Sequence, residues 1–179
     1  FKVNFKKKTM KNKVIGIFAF AVIMAFIIPA SVKGQAKPNF SGTWVYNASK
    51  SDQPQGQGGG QRAFGGGDFV AKQDANTLTV ERTMTNRDGE SVTTTMKYSL
   101  DGKETINTGM GGRGESKSVA TWSPDSKSLA IITTRTFNDR TMTTKEAWTL
   151  TDPNTLTITS IMDTPNGQMT IKRVYDKKQ

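Results

Sequence analysis

The chain contains neither cysteine nor histidine. Without cysteine there is no disulfide framework, no thiolate nucleophile and no attachment point for a lipoprotein anchor. Without histidine, Ser-His and Cys-His nucleophilic systems, imidazole general bases and most zinc sites are excluded together. No Gly-Lys-Ser/Thr sequence supports a phosphate loop. Long apolar runs are also scarce. The one candidate, Val14 to Ile28, spans 15 residues, short of the ~20 that a membrane-spanning helix needs.

That run has its own reading. Met10 is followed by Lys11, Asn12 and Lys13, then by the apolar stretch, then by Pro29 and the small-residue exit Gly34-Gln35-Ala36. A basic start, an apolar core of this length and such an exit describe a secretory signal peptide over residues 1–36. Phe1–Thr9 is then an upstream extension of the Met10 start. The expected product is a domain of residues 37–179, exported to the periplasm or the medium, with no membrane span after cleavage.

The leader also accounts for the charge. The whole chain is +10, with 25 Lys and Arg against 15 Asp and Glu. Seven of the basic residues and none of the acidic ones precede Lys37, which leaves the expected domain at +3. The remaining Lys and Arg are scattered singly, so no basic patch speaks for nucleic acid.

From Ser41 to Asp176, threonine alternates with large apolar residues. Leu78, Val80 and Met84 alternate with Thr79, Glu81 and Thr83, and Leu156 and Ile158 with Thr155, Thr157 and Thr159. Period two means strands with one buried and one wetted face. Strands are expected at 41–47, 68–73, 77–85, 91–100, 117–123, 128–137, 141–150, 155–162 and 168–176, with a short one at 104–108. Turn chemistry separates them: Arg87-Asp88-Gly89, Asp101-Gly102, Pro124-Asp125, Asp152-Pro153-Asn154 and Pro165-Asn166-Gly167. Residues 48–67, with Pro54 and the run GQGGGQ, read as a Gly/Gln-rich loop. Gly109–Gly114 fits G-x-G-x-x-G formally, but no helix follows, so it too reads as a loop.

The fold class expected is therefore all-β: a single antiparallel up-and-down barrel of about nine or ten strands, closed because closure removes exposed edges. A barrel wider than eight strands can hold a ligand. An outer-membrane barrel would need an apolar outer face, whereas Ser91, Thr93, Thr95, Lys97 and Ser99 line the face opposite the apolar residues.

Parity also names the polar side chains that point inward. Arg82 falls in line with Leu78 and Val80, Arg135 with Leu129 and Ile131, Glu146 with Met142 and Trp148, and Arg173 with Ile171 and Tyr175. Unpaired buried charges are costly. Three inward arginines and one glutamate therefore suggest a bound anion, or an Arg–Glu ion pair of structural purpose. Only Glu146 among the carboxylates faces inward, which speaks against acid–base catalysis by a carboxylate pair. No metal site, cofactor or enzymatic activity is expected.

Phe40-Ser41-Gly42-Thr43-Trp44 resembles the opening strand of the calycins, the superfamily of lipocalins and fatty-acid-binding proteins. Lys172-Arg173-Val174-Tyr175-Asp176-Lys177 is similar to the last strand of the fatty-acid-binding branch. The resemblance implies that Trp44 and Arg173 pack at the closed end beside Gly42, and that Arg173 and Tyr175 hold a ligand carboxylate. The chain departs from that branch in carrying 48–67 where a helical lid would stand. A second resemblance, of Trp122-Ser123-Pro124-Asp125-Ser126-Lys127-Ser128-Leu129-Ala130 to the repeat of periplasmic β-propellers, occurs once, whereas a propeller needs at least four blades. A hairpin turning at Pro124-Asp125 is the simpler expectation.

Together these observations lead to an exported barrel binding a small amphipathic anion. The expected apolar lining is Leu78, Val80, Met84, Val92, Met96, Tyr98, Leu156, Ile158 and Met169, and the expected polar contacts are Arg173 and Tyr175 with Arg82, Arg135 and Glu146. The competing expectation is a non-enzymatic envelope module with a filled core.

Overall fold

A computed structural model describes residues 36–53, 66–85, 88–108, 114–137, 140–164 and 167–179. The leader expected over 1–36 lies outside these residues except for Ala36, as do most of the 48–67 loop and of Gly109–Gly114.

Ten strands follow in chain order: β1 (Gly42–Tyr46), β2 (Phe69–Gln73), β3 (Thr77–Thr85), β4 (Ser91–Ser99), β5 (Glu104–Thr108), β6 (Glu115–Trp122), β7 (Ser128–Phe137), β8 (Arg140–Asp152), β9 (Thr155–Thr164) and β10 (Gly167–Lys177). They form one antiparallel sheet in the order β4-β3-β2-β1-β10-β9-β8-β7-β6-β5. Each strand thus pairs with its chain neighbours except at β4 and β5, which form the two edges, and β1 pairs with β10. The sheet is a nearly closed up-and-down barrel, as the alternation predicts, and the described residues contain no helix.

The two edges of the sheet meet through a side chain. The backbone N–H of Lys97 on β4 donates to Asn107 Oδ1 at 2.7 Å. Asn107 Nδ2 donates back to the Lys97 carbonyl at 2.9 Å. The buried Asn107 amide on β5 therefore stands in for one rung of a β-ladder.

The interior divides by height. The end carrying the β2–β3, β4–β5, β6–β7 and β8–β9 turns is packed solid. Phe40 is fully buried there, stacked on Trp122 at 5.9 Å between ring centroids and edge-on to Trp148 at 5.8 Å. It plugs the floor, held by its N–H to Gln73 Oε1 and by Trp44 Nε1 donating to its carbonyl, both at 2.9 Å. Leu78, Leu129, Leu156 and Ile158 complete the packing. On β4 the opposite parity, Ser91, Thr93, Thr95 and Lys97, is exposed, with Ser99 half-buried.

The propeller-like segment is the β6–β7 hairpin, with Trp122 opposite Leu129. Its turn repeats the chemistry of the β4–β5 turn. Asp125 Oδ1 accepts from Ser123 Oγ at 2.6 Å and from the Lys127 N–H at 3.1 Å. Asp101 Oδ1 accepts from Ser99 Oγ and the Lys103 N–H at 2.6 and 3.0 Å. The following residue has positive φ in both turns, +83° at Gly102 but +58° at Ser126. A side chain in that conformation costs roughly 1–2 kcal/mol, and glycine's greater loss of chain entropy returns roughly half of that. Ser126→Gly should accordingly stabilise the fold by about 0.5–1 kcal/mol, read as a higher urea midpoint at constant slope.

Candidate functional site

Above the packed floor lies a cavity of about 650 Å³. It opens toward the end where β3 meets β4, β7 meets β8 and β9 meets β10. Its wall carries five methionines, Met84, Met96, Met142, Met162 and Met169. Unbranched and polarizable, methionine gives a wall that adapts to the shape of its occupant. Val80, Tyr98 and Trp148 line it lower down.

All four polar residues placed inward by parity, Arg82, Arg135, Glu146 and Arg173, reach this cavity. They are not equivalent. Arg173 is buried on β10. One of its Nη2 contacts is to Glu146 Oε1 at 2.9 Å, and another, short one is to Ser160 Oγ. Ser160 also donates to Glu146 Oε1 at 3.0 Å, and Trp148 Nε1 donates to Glu146 Oε2 at 3.1 Å. Glu146 therefore collects three donors from β8, β9 and β10 and stitches these strands together.

Arg82, half-buried on β3, lies over the Phe69 ring at 4.4 Å, donates to the Gly67 carbonyl at 3.1 Å and bonds the Tyr175 hydroxyl. Arg135 is exposed and stands at the mouth. Asp68 and Asp163, also exposed, share that rim. Deeper in, among the described residues, the guanidinium groups of Arg82 and Arg173 face the carboxylate of Glu146, an excess of one positive charge.

Several expectations are corrected in detail. Lys177, not Arg173, supplies the cation recorded over Trp44, with its ammonium 5.5 Å from the ring centroid. The cause is register: Trp44 stands opposite Lys177 in the β1–β10 ladder, four residues beyond Arg173. Gly42 serves this contact, because a Cβ there would come 2.5 Å from Lys177 Cε at a φ of +149°. Tyr175 faces inward but is fully buried in the floor, edge-on to Phe69 at 5.0 Å, and is not among the cavity-lining residues. Leu78, Leu156 and Ile158 likewise belong to the floor, and Val92 is absent from the cavity wall. Met162, Thr94, Thr133, Thr144 and Ser160 line the cavity without having been named from the sequence, and Met142, inward by parity beside Glu146, joins them outside the expected lining. The same alternation could have found them, since Met142 and Met162 share parity with Glu146 and Ile158.

The buried phenols have a measurable consequence. Burial first, and then the negative charge of Glu146, push the Tyr98 hydroxyl well above its ordinary 10.0, against the opposing pull of Arg82 and Arg135. Burial likewise raises Tyr175, opposed by Arg82 and Arg173. Above pH ~10 the unfolded chain releases these protons and the folded chain keeps them, so the unfolded state binds fewer and stability falls. Chemical unfolding followed from pH 8 to pH 11 should show a plateau below pH 10 and a decline above it, which Tyr98→Phe makes shallower.

Ten antiparallel strands, paired in sequence except between the edges β4 and β5, surround an internal cavity. The fold is a nearly closed antiparallel up-and-down barrel. No protein-family profile and no curated protein matches the chain. Among solved structures it is similar to zebrafish ileal bile acid-binding protein complexed with cholic acid, at 16% identity and a TM-score of 0.48, covering 78% of this chain and 98% of that one. It is also similar to secretory abundant heat soluble protein 4 from Ramazzottius varieornatus, at 18% identity and a TM-score of 0.48, covering 81% and 99%. A redesigned β-barrel matches with 12% identity and a TM-score of 0.35, over 78% and 91%.

Proposed function

We propose that this barrel binds a small amphipathic anion non-covalently inside its cavity. The observation that carries the reading is the cavity itself. At about 650 Å³ it falls within the ~300–1,000 Å³ range of small-molecule sites. Its wall joins methionine thioethers to an inner group, Arg82, Arg173 and Glu146, that carries one surplus positive charge, while Arg135, Asp68 and Asp163 stand at the rim. A filled core, which the competing reading of a purely structural envelope module requires, does not describe this half of the barrel.

The occupant acts as cargo rather than as substrate. In support, the chain offers no imidazole or thiol, and Glu146, the one interior carboxylate among the described residues, already accepts three hydrogen bonds. Export follows from the basic and apolar segment of residues 10–36, with action in the periplasm or outside the cell.

Native mass spectrometry of the purified full chain with laurate, dodecylamine or dodecanol, each below its aggregation concentration, tests the reading. A one-to-one laurate complex is expected, with dodecylamine held at least ~10-fold more weakly, since one charge-assisted hydrogen bond is worth roughly that factor. Equal retention of the amine would remove the anionic preference, and no complex with any probe would end the binding role.

A further inference from the structure

Several threonine hydroxyls in this barrel pair across neighbouring strands. Thr83 and Thr93 share a hydrogen bond of 2.8 Å across β3 and β4, Thr134 and Thr143 one of 3.4 Å across β7 and β8, and Ser118 and Thr133 one of 3.0 Å across β6 and β7. Thr94 departs from this. Its Oγ1 is buried in the cavity wall and has no hydrogen-bond partner among the described residues. An orphaned buried hydroxyl destabilises the protein that carries it. Valine would fill the same space in a strand without that penalty, and would suit β-structure at least as well.

Thr94 also has a particular neighbour. In the β3–β4 ladder it stands directly opposite Arg82, so the two side chains leave the same face of the sheet with Cβ atoms about 5 Å apart. Both line the cavity. Arg82 is braced from the other side by Phe69, Gly67 and Tyr175, which fixes where its charge sits. Arg173, the residue that the sequence favours for an anion, is ion-paired with Glu146 and bonded to Ser160.

We propose that Arg82 and Thr94 together seat the anionic head of the ligand, as a carboxylate that accepts a hydrogen bond from the Thr94 hydroxyl. This rests on the binding role proposed above and names the part of the cavity that reads the charge. The head then lies inside the barrel, and the tail runs along Met84, Met142, Met162 and Met169 toward the mouth. Thr94 is kept for the occupied state at the expense of the empty one.

Thr94→Val separates this from a structural role, because its two effects have opposite sign. In the full chain, laurate affinity measured by titration calorimetry should drop by about 10-fold or more. Dodecanol affinity should stay within about two-fold of the parent, and the melting temperature of the unliganded protein should rise. Arg82→Met should weaken laurate at least as much while also leaving dodecanol unchanged. Thr94→Ser, which restores the hydroxyl, should recover laurate binding. Unchanged laurate affinity in Thr94→Val overturns the proposed seat while leaving the binding role intact. Equal losses for laurate and dodecanol would also overturn it, as would a laurate loss that Thr94→Ser fails to restore. If neither probe binds the parent chain, the binding role fails and the seat falls with it.

Discussion

Replacing Arg173 with leucine should lower the free energy of unfolding by about 3 kcal/mol, whatever it does to ligand affinity. Removing one member of a buried ion pair strands the other, a loss of roughly 3–5 kcal/mol where both are fully enclosed. The lower end applies because the side chain of Glu146 keeps 23% of its surface exposed, against 7% for Arg173. The Ser160 hydroxyl and the Trp148 indole remain to satisfy part of the carboxylate. Replacing Glu146 and Arg173 together by methionine should recover much of the loss, since the cost lies in the uncompensated charge rather than in the missing pair. Urea unfolding of both single variants and the double variant gives the coupling directly. An Arg173→Leu protein as stable as the parent would show that the network is ornamental.

The second large effect belongs to Phe40. Its ring is inaccessible to solvent and packs against Trp122 and Trp148, while its backbone receives the Trp44 indole and donates to Gln73. Phe40→Ala should destabilise the domain by about 3–5 kcal/mol through the cavity it leaves in the floor. Near-ultraviolet circular dichroism should weaken along with stability, because two tryptophans lose a packing partner. Phe40→Leu should retain most of the stability. A cost under ~1 kcal/mol for the alanine variant would mean that the segment before β1 merely rests on the barrel.

Sequence and structure agree most closely where period-two patterning governs. All ten strands fall within a few residues of the expected segments, and the Pro124-Asp125 and Asp101-Gly102 turns stand where their chemistry puts them. Parity alone turned Arg82, Arg135, Glu146 and Arg173 toward the cavity. Alternation, however, specifies a face and not a height. Tyr175 and Leu156 point inward as surely as Met162 does, yet they lie in the floor. Lys177 took the place assigned to Arg173 over Trp44 because the stagger between β1 and β10 is a long-range quantity that neither strand encodes locally. Phe40 escaped notice as a plug because it precedes β1 and belongs to no alternating segment. The Thr94 hydroxyl could not have been picked out among so many threonines without knowing which of them had partners.

The Asn107 bridge carries a mechanical implication. Around nine of its junctions the wall is laced by repeated main-chain bonds, but between β4 and β5 the described fastening is a lone carboxamide. Strain imposed on the cylinder, whether by heat or by a bulky guest, will concentrate at that weld. The molecule should therefore widen by parting along one line on its flank, as a split ring does, with the remaining staves moving as blocks.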